Sequence, residues 1–477
     1  TSSGVSQNNE ELPELSTSSS LHQSAIPQAE TSPRDSSETS DSYIKVVTDK
    51  FDIAINTRGG EISKLSLRAY PVALDKPEEP FPLLTKDRAQ IYVAQTGLLS
   101  RQGAPNHLAQ FTAEKNQYNL AEGEDQLRVR LYWQNDLGIQ VEKVFVFTRG
   151  THTIDVVQRV TNGSASAWQG NQYRQLVRTE PLSEGGMANA MAYTFNGAAY
   201  YSNEDKFVKI DLDDIQDEPL SKDVSGGWVA MIQHYFLSAW IPDATETNNF
   251  YTKMIKGGLY RIGMISPEIA VQPGSTGEFV SRLYAGPKEQ SVLEELATGL
   301  RLSVDYSWLT IIAQPIFWLM TFIHEYIIDN WGWSIILLTL IIKLVFYKLS
   351  EYGYRSMANM RKVQPKLVAL KERYGSDKQK MQQAMMELYR KEKINPMSGC
   401  FPILIQIPVF IALYCVLLES VELRQAPVML WIKDLSVADP YFVLPIIMGI
   451  SMYVQQKLNP APMDEMQKKI MQFLPVI

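Results

Sequence analysis

The chain reads as an α+β multidomain membrane protein: an antiparallel β-sandwich followed by an α-helical transmembrane bundle that carries a helical hairpin. Three observations predict this. Short alternating segments punctuated by turn residues fill the stretch from Tyr43 to about Gly286. Long apolar stretches almost free of charge then dominate roughly the last 170 residues. Between the first two of these stretches lies a basic loop with helical periodicity. A mean hydropathy of −0.15 hides this mosaic, whose parts belong in different solvents. The balance of 45 Lys+Arg against 52 Asp+Glu, a net charge of −7, argues against a general nucleic-acid binder, and no specific nucleic-acid binding is expected. Two cysteines supply neither a disulfide scaffold nor a four-thiolate metal site.

Residues 1–42 hold 17 Ser/Thr, seven acids, one base (Arg34) and no aromatic residue. Such a segment cannot bury enough apolar area to offset the entropy of ordering, so it reads as a disordered linker. It has no initiating Met, signal peptide or apolar anchor, and a native start upstream is expected.

Residues 43–300 form the expected sandwich. Leu127–Leu131 alternates with period two, and Val144–Phe147 and Ile154–Val157 follow after turn residues. Turn punctuation recurs at Gly59-Gly60, Asn135-Asp136, Asn162-Gly163, Gly185-Gly186 and Gly257-Gly258.

Residues 301–330 are expected to form an interfacial amphipathic helix. Tyr306–Ile323 is uncharged and could itself span a bilayer. Against this, Ser307, Thr310, Gln314, Thr321 and Glu325 share one stripe, while Ile311, Ile312, Ile316, Leu319, Met320 and Ile323 share the other face. A two-faced helix bearing Trp308 and Trp318 lies more naturally in the interface.

The remainder, 331–477, is expected to be the membrane core. Trp331–Leu349 is apolar apart from Lys343, with Lys348 marking its end. The stretches 394–418 and 440–456 carry no charge, and another apolar run opens at Ile470 and is expected to continue past Ile477. At 1.5 Å per residue the three are about long enough for a ~30 Å hydrocarbon layer, the third only marginally. Lys348–Ser398 holds 12 Lys/Arg against 5 Asp/Glu, whereas Glu419–Asp439 holds 2 against 4. The long loop is therefore expected inside the cell, and the β domain outside.

Lys343 is the most informative residue. A lysine near a helix centre costs roughly 2.5–3.5 kcal/mol on insertion scales, so it needs a reason. One reading is snorkelling towards the end marked by Lys348. The other places Lys343 in a polar stripe with Thr339, Tyr347 and Ser350. No acid occurs in any of the three spans, so that stripe would need water and a wet cavity. On the second span Gln406 lies between Pro402 and Pro408, and either lines the same cavity or hydrogen-bonds a neighbouring helix. Residues 350–393 read as a hairpin: Met357, Met360, Val363, Leu367, Leu370 and Tyr374 on one arm, Met381, Met385 and Leu388 on the other. Methionines on this seam suit contact with varied partners, although a hairpin that only packs on itself would look the same.

Enzyme signatures are poor. Five histidines are scattered, and no nucleophile elbow, phosphate loop, metal-ligand pair or cofactor motif occurs. A histidine with a carboxylate such as Glu180 could in principle act on a sugar, which leaves a membrane-tethered carbohydrate-binding or mutarotase-like domain as the alternative function. A channel is disfavoured by the lack of a selectivity ring.

Asn395-Pro-Met-Ser-Gly-Cys-Phe-Pro-Ile-Leu-Ile-Gln-Ile-Pro408, followed by Glu422-Leu-Arg-Gln-Ala-Pro427, resembles the YidC/Oxa/Alb membrane-protein insertase family. Gly227-Trp-Val-Ala-Met-Ile-Gln-His-Tyr-Phe236 and Pro365 look like its type with a large periplasmic domain. The resemblance implies a periplasmic β-supersandwich similar to galactose-mutarotase-like folds. It also implies a non-enzymatic, multi-pass insertase and chaperone of the bacterial inner membrane, working without a cofactor through a hydrophilic groove. The groove cation, usually Arg in this family, falls on Lys343, and Thr339 and Gln406 match groove positions. Nascent membrane proteins and the lipid bilayer are the implied partners, with the Sec translocase and the ribosome.

Overall fold

The computed structural model describes residues 42–87, 89–181, 194–255, 257–374, 377–392 and 401–458, with Pro13. The expected linker, the Gly185-Gly186 turn, the Asn395–Cys400 part of the motif and the run from Ile470 lie outside the described residues. The chain divides into two units, Thr1–Val304 and Asp305–Ile477.

The first unit is built from two sheets, of eleven and nine strands among the described residues. Pairing is antiparallel except where Lys45–Val47 runs parallel to Gln117–Asn119. The predicted strands extend to Gln126–Gln134, Ile139–Thr148 and Thr153–Asn162, which are neighbours in the nine-stranded sheet. Their period-two alternation is the cause: Val129, Leu131, Val141, Phe145, Ile154 and Val156 all turn to the buried face. Two short helices, α1 (Asp214–Asp217) and α2 (Gln290–Leu296), interrupt and follow the strands.

One lysine breaks the apolar rule. Lys143 shares the parity of Val141 and Phe145 and is fully buried. Its Nζ donates to the Gly59 carbonyl at 2.8 Å and the Thr96 carbonyl at 2.9 Å, and lies 5.5 Å from the Phe145 ring centroid. Burial pushes its ammonium down to about 7, against a weaker pull from Glu61. Gly60, at φ +58°, makes the room: a Cβ there would press on the Lys143 side chain.

Gly227 opens the Gly227–Phe236 motif at φ +76°, and a Cβ on it would drive into the Tyr201 carbonyl. The turn delivers Trp228, fully buried and stacked on Tyr201 at 6.2 Å, with its Nε1 donating to Thr298 O. Gly227→Ala combines a disfavoured backbone region with a clash. It is expected to lower the stability of this unit by about 2–4 kcal/mol, read as a fall in the thermal midpoint.

The second unit is helical: α3 (Thr310–Tyr326), α4 (Trp331–Val345), α5 (Tyr347–Tyr374), α6 (Lys378–Lys391), α7 (Phe401–Glu419) and α8 (Val443–Leu458). Helix α3 packs against α4 and α7. Its buried stripe is Ala313, Ile316, Met320 and Ile323, at i, i+3, i+7 and i+10. This corrects the expected partition of faces. Ile311, placed on the apolar face, is 85% exposed, and the outer face is aromatic, with Trp318, Phe322 and Tyr326 successively ring to ring.

Asn330 caps α4 by accepting from Trp333 N, and its Nδ2 donates to the Pro427 and Val428 carbonyls. Gly332 lets Val428 approach, since a Cβ there would meet its methyls. The first apolar stretch does not run as one rod to Leu349. Helix α4 ends at Val345, and α5 leaves at 63°. No single helix among the described residues is long and apolar enough to cross a membrane; the bent pair α4–α5 reaches that length and composition together.

Candidate functional site

Helix α4 buries Gly332, Ser334, Leu338 and Ile342, which leaves Thr339 and Lys343, one turn apart, on a different stripe. Thr339 is half-buried and its Oγ1 donates to the Ile335 carbonyl at 2.8 Å, so its hydroxyl is held by its own helix. Lys343 is exposed. Its Nζ lies 4.7 Å from the centroid of the Phe410 ring on α7. Gln406 sits one turn before Phe410 on the same helix, half-buried, and its Nε2 is buried with no hydrogen-bond partner among the described residues.

The structure thus brings Lys343 of α4 to the part of α7 that carries Gln406 and Phe410. It does not bring Tyr347 and Ser350 into the same stripe. The 63° bend lies between them and Lys343, and they line a separate surface depression with Glu351, Tyr354 and Arg355. Phe410 went unnoticed in the sequence because nothing local distinguishes it from the apolar residues around it.

The two arms of the basic hairpin are α5 and α6. Asp377 caps α6 by accepting from Gln379 N and Lys380 N, and those backbone donors hold its carboxyl below the usual range. Val363 and Leu367 are the buried hydrophobic side chains among the described residues of α5, while Met360, Met381 and Met385 are half-buried; the Met357 side chain lies outside the described residues. Lys366 Nζ meets Glu392 Oε1 at 2.7 Å across the hairpin. Met386, outside the seam register, is the most exposed methionine among those described, at 63%. At its base α5 passes close to α7, where a Cβ on Gly353 would press on Pro402.

The two core histidines are committed to packing. His107 shares a 2.6 Å hydrogen bond with the Tyr173 hydroxyl, and His152 sits edge-on to Phe51 and Tyr284. Burial pushes both rings down to about 4.

Exposure separates the two units sharply. Among the described residues, seven large hydrophobic side chains are exposed before Val304 and 34 after it. Leu340, Leu344, Leu404 and Ile407 belong to this outer apolar surface, and α8 exposes Leu444, Ile446, Ile447, Ile450 and Val454. Water does not favour such a surface, but hydrocarbon does.

A water-stable β unit joined to helices with an apolar exterior defines a membrane protein with a large soluble domain. Residues 43–319 match the family model of the YidC periplasmic domain, and 322–477 match that of the 60Kd inner membrane protein. The chain belongs to the membrane protein insertase YidC family. It is 52% identical to the membrane protein insertase YidC of Thioalkalivibrio sulfidiphilus, covering 91% of this chain and 79% of that one. It is also 52% identical to that of Alkalilimnicola ehrlichii, covering 91% and 77%. Among solved structures, a galactose mutarotase-like protein from Lactobacillus casei matches 51% of this chain and 99% of its own at 11% identity and a TM-score of 0.36, too distant to speak of activity. The chain is an insertase of the inner membrane with a periplasmic domain, acting on nascent membrane proteins and not as an enzyme.

Proposed function

We propose that Thr339, Lys343 and Gln406 line a hydrophilic, positively charged groove through which the chain inserts transmembrane helices and helps them fold. The supporting observation is a pair of polar groups without polar partners among the described residues. From two apolar helices, the Lys343 ammonium meets a ring and the Gln406 amide nitrogen meets nothing it can donate to among the described residues. Groups left in this state cost free energy in a closed, dry interface and cost little where water and a passing chain supply partners.

In this mechanism an acidic tail enters the groove, where the cation and water shorten its path through hydrocarbon. The apolar helix behind it slides along the outer faces of α4 and α7 into lipid, where its own burial drives release. The topology proposed is multi-pass: the α4–α5 pair, α7 and α8 cross, the basic hairpin lies in the cytoplasm, and the first unit lies in the periplasm. Helix α3 lies at the interface, its aromatic outer face at headgroup level. Met357, Met360, Met381 and Met385 are proposed as hairpin contacts for arriving chains, and the Sec translocase and the ribosome as docking partners on the strength of the family resemblance.

Site-specific photocrosslinkers test this. At Thr339 or Gln406 they should capture a stalled single-span nascent protein, while one at the buried Leu338 should not. Adducts from lipid-facing Leu340 with none from Thr339 or Gln406 would place the path outside the groove and overturn the reading.

A further inference from the structure

We infer that Phe410 is a positioning residue for the groove cation: its ring face holds the Lys343 ammonium between α4 and α7 until a carboxylate on the entering chain takes the charge over. The inference deepens the groove reading and rests on it.

The geometry separates Lys343 from its neighbour Lys348. Lys348 also lies over a ring, that of the adjacent Tyr347 at 5.9 Å, but it has an acid, Glu351, at 3.5 Å and an 89% exposed side chain. Lys343 lies closer, at 4.7 Å, and over a ring that belongs to a different helix. A ring face attracts a cation through its quadrupole, most strongly when both are shielded from water. It has no lone pair to accept a hydrogen bond and cannot neutralise the charge.

That difference suits a site that must give its cation away. A resident Asp or Glu would bind Lys343 in a desolvated ion pair, which an incoming carboxylate would have to break. The ring fixes where the ammonium sits and leaves its N–H donors available. Gln406, one turn away on α7, adds an amide nitrogen with no hydrogen-bond partner among the described residues. A carboxylate arriving at Lys343 would find a charged donor at once, and the neutral one only after the Gln406 side chain turns out of its buried position, and the ring would be released.

Stepwise fluorination of Phe410 in the full chain, reconstituted in vesicles, tests this, because fluorine drains the ring quadrupole with little change of shape. The readout is the ratio of insertion rates for a single-span substrate with an acidic tail and the same substrate with a neutral tail. The ratio is expected to fall progressively, by about fivefold from Phe to the trifluoro ring. Phe410→Trp should keep it and Phe410→Leu should lower it as far as full fluorination does. A ratio constant through the series overturns the inference, as does one that Phe410→Leu leaves unchanged. Lys343→Ala in the same vesicles separates the two levels. If it inserts the acidic-tailed substrate normally, the groove reading fails. If it does not, and fluorination still has no effect, only the role of the ring falls.

Discussion

Lys343→Ala is expected to reduce insertion of small acidic-tailed single-span proteins by about 150- to 700-fold, and Lys343→Arg to restore most of it. The magnitude follows from one charge at contact range in a medium of effective dielectric near 20, about 3–4 kcal/mol, where each 1.4 kcal/mol is a factor of ten. Arginine keeps the charge and adds a planar fork that pairs carboxylates bidentately, so it should serve at least as well in capture. Position matters less than charge. Thr339 stands one helical turn from Lys343 on the same stripe, so Thr339→Lys on the Lys343→Ala background should recover activity. Protease protection of the translocated tail measures all three variants. Unimpaired insertion by Lys343→Ala would remove the cation from the mechanism altogether.

What the sequence disclosed depended on the range of the physics involved. Strands such as Gln126–Gln134 were legible because alternation is local and one face is buried. The apolar helices were legible because hydrocarbon selects against charge residue by residue. The break after Val345 was not, since apolar residues continue through Leu344, Val345 and Phe346 with no Gly or Pro to mark it. Ile311 was grouped with Ile316, Met320 and Ile323 because hydropathy cannot distinguish an exposed isoleucine from one packed on α4 and α7. Phe410 is a tertiary fact: no pattern within one helix states which residue of another it meets. Lys143 is the instructive miss. The alternation that places Val141 and Phe145 inside also places Lys143 inside, so parity alone could have flagged a buried cation.

That buried cation makes the stability of the β unit depend on pH in a direction opposite to ordinary intuition about lysines. Lys143 holds its proton to about 7 when folded and to 10.5 in an unconstrained chain. Below pH 7 both states are protonated and the folded state bears the desolvation. Between pH 7 and 10.5 the unfolded state binds the extra proton, so unfolding becomes harder as pH rises, by up to 1.36 kcal/mol per unit and several kcal/mol in all. His107 and His152 act in the same sense lower down. Both are held at about 4 when folded against 6.5 otherwise, so their contribution disappears as pH falls from 6.5 to 4. The buried Tyr92, Tyr173, Tyr251 and Tyr284 reverse the trend above pH 10, where the unfolded state ionises first. Thermal unfolding followed by tryptophan fluorescence should therefore show a midpoint that climbs from pH 4 to about 10. Lys143→Met isolates the lysine. It leaves the Gly59 and Thr96 carbonyls without their donor, at a cost of about 1–3 kcal/mol where wild-type Lys143 is neutral, and abolishes the slope between pH 7 and 10 while sparing that between 4 and 6.5. Equal slopes in the two proteins above pH 7 would show that Lys143 is not the titrating group, and that water reaches it despite its complete burial.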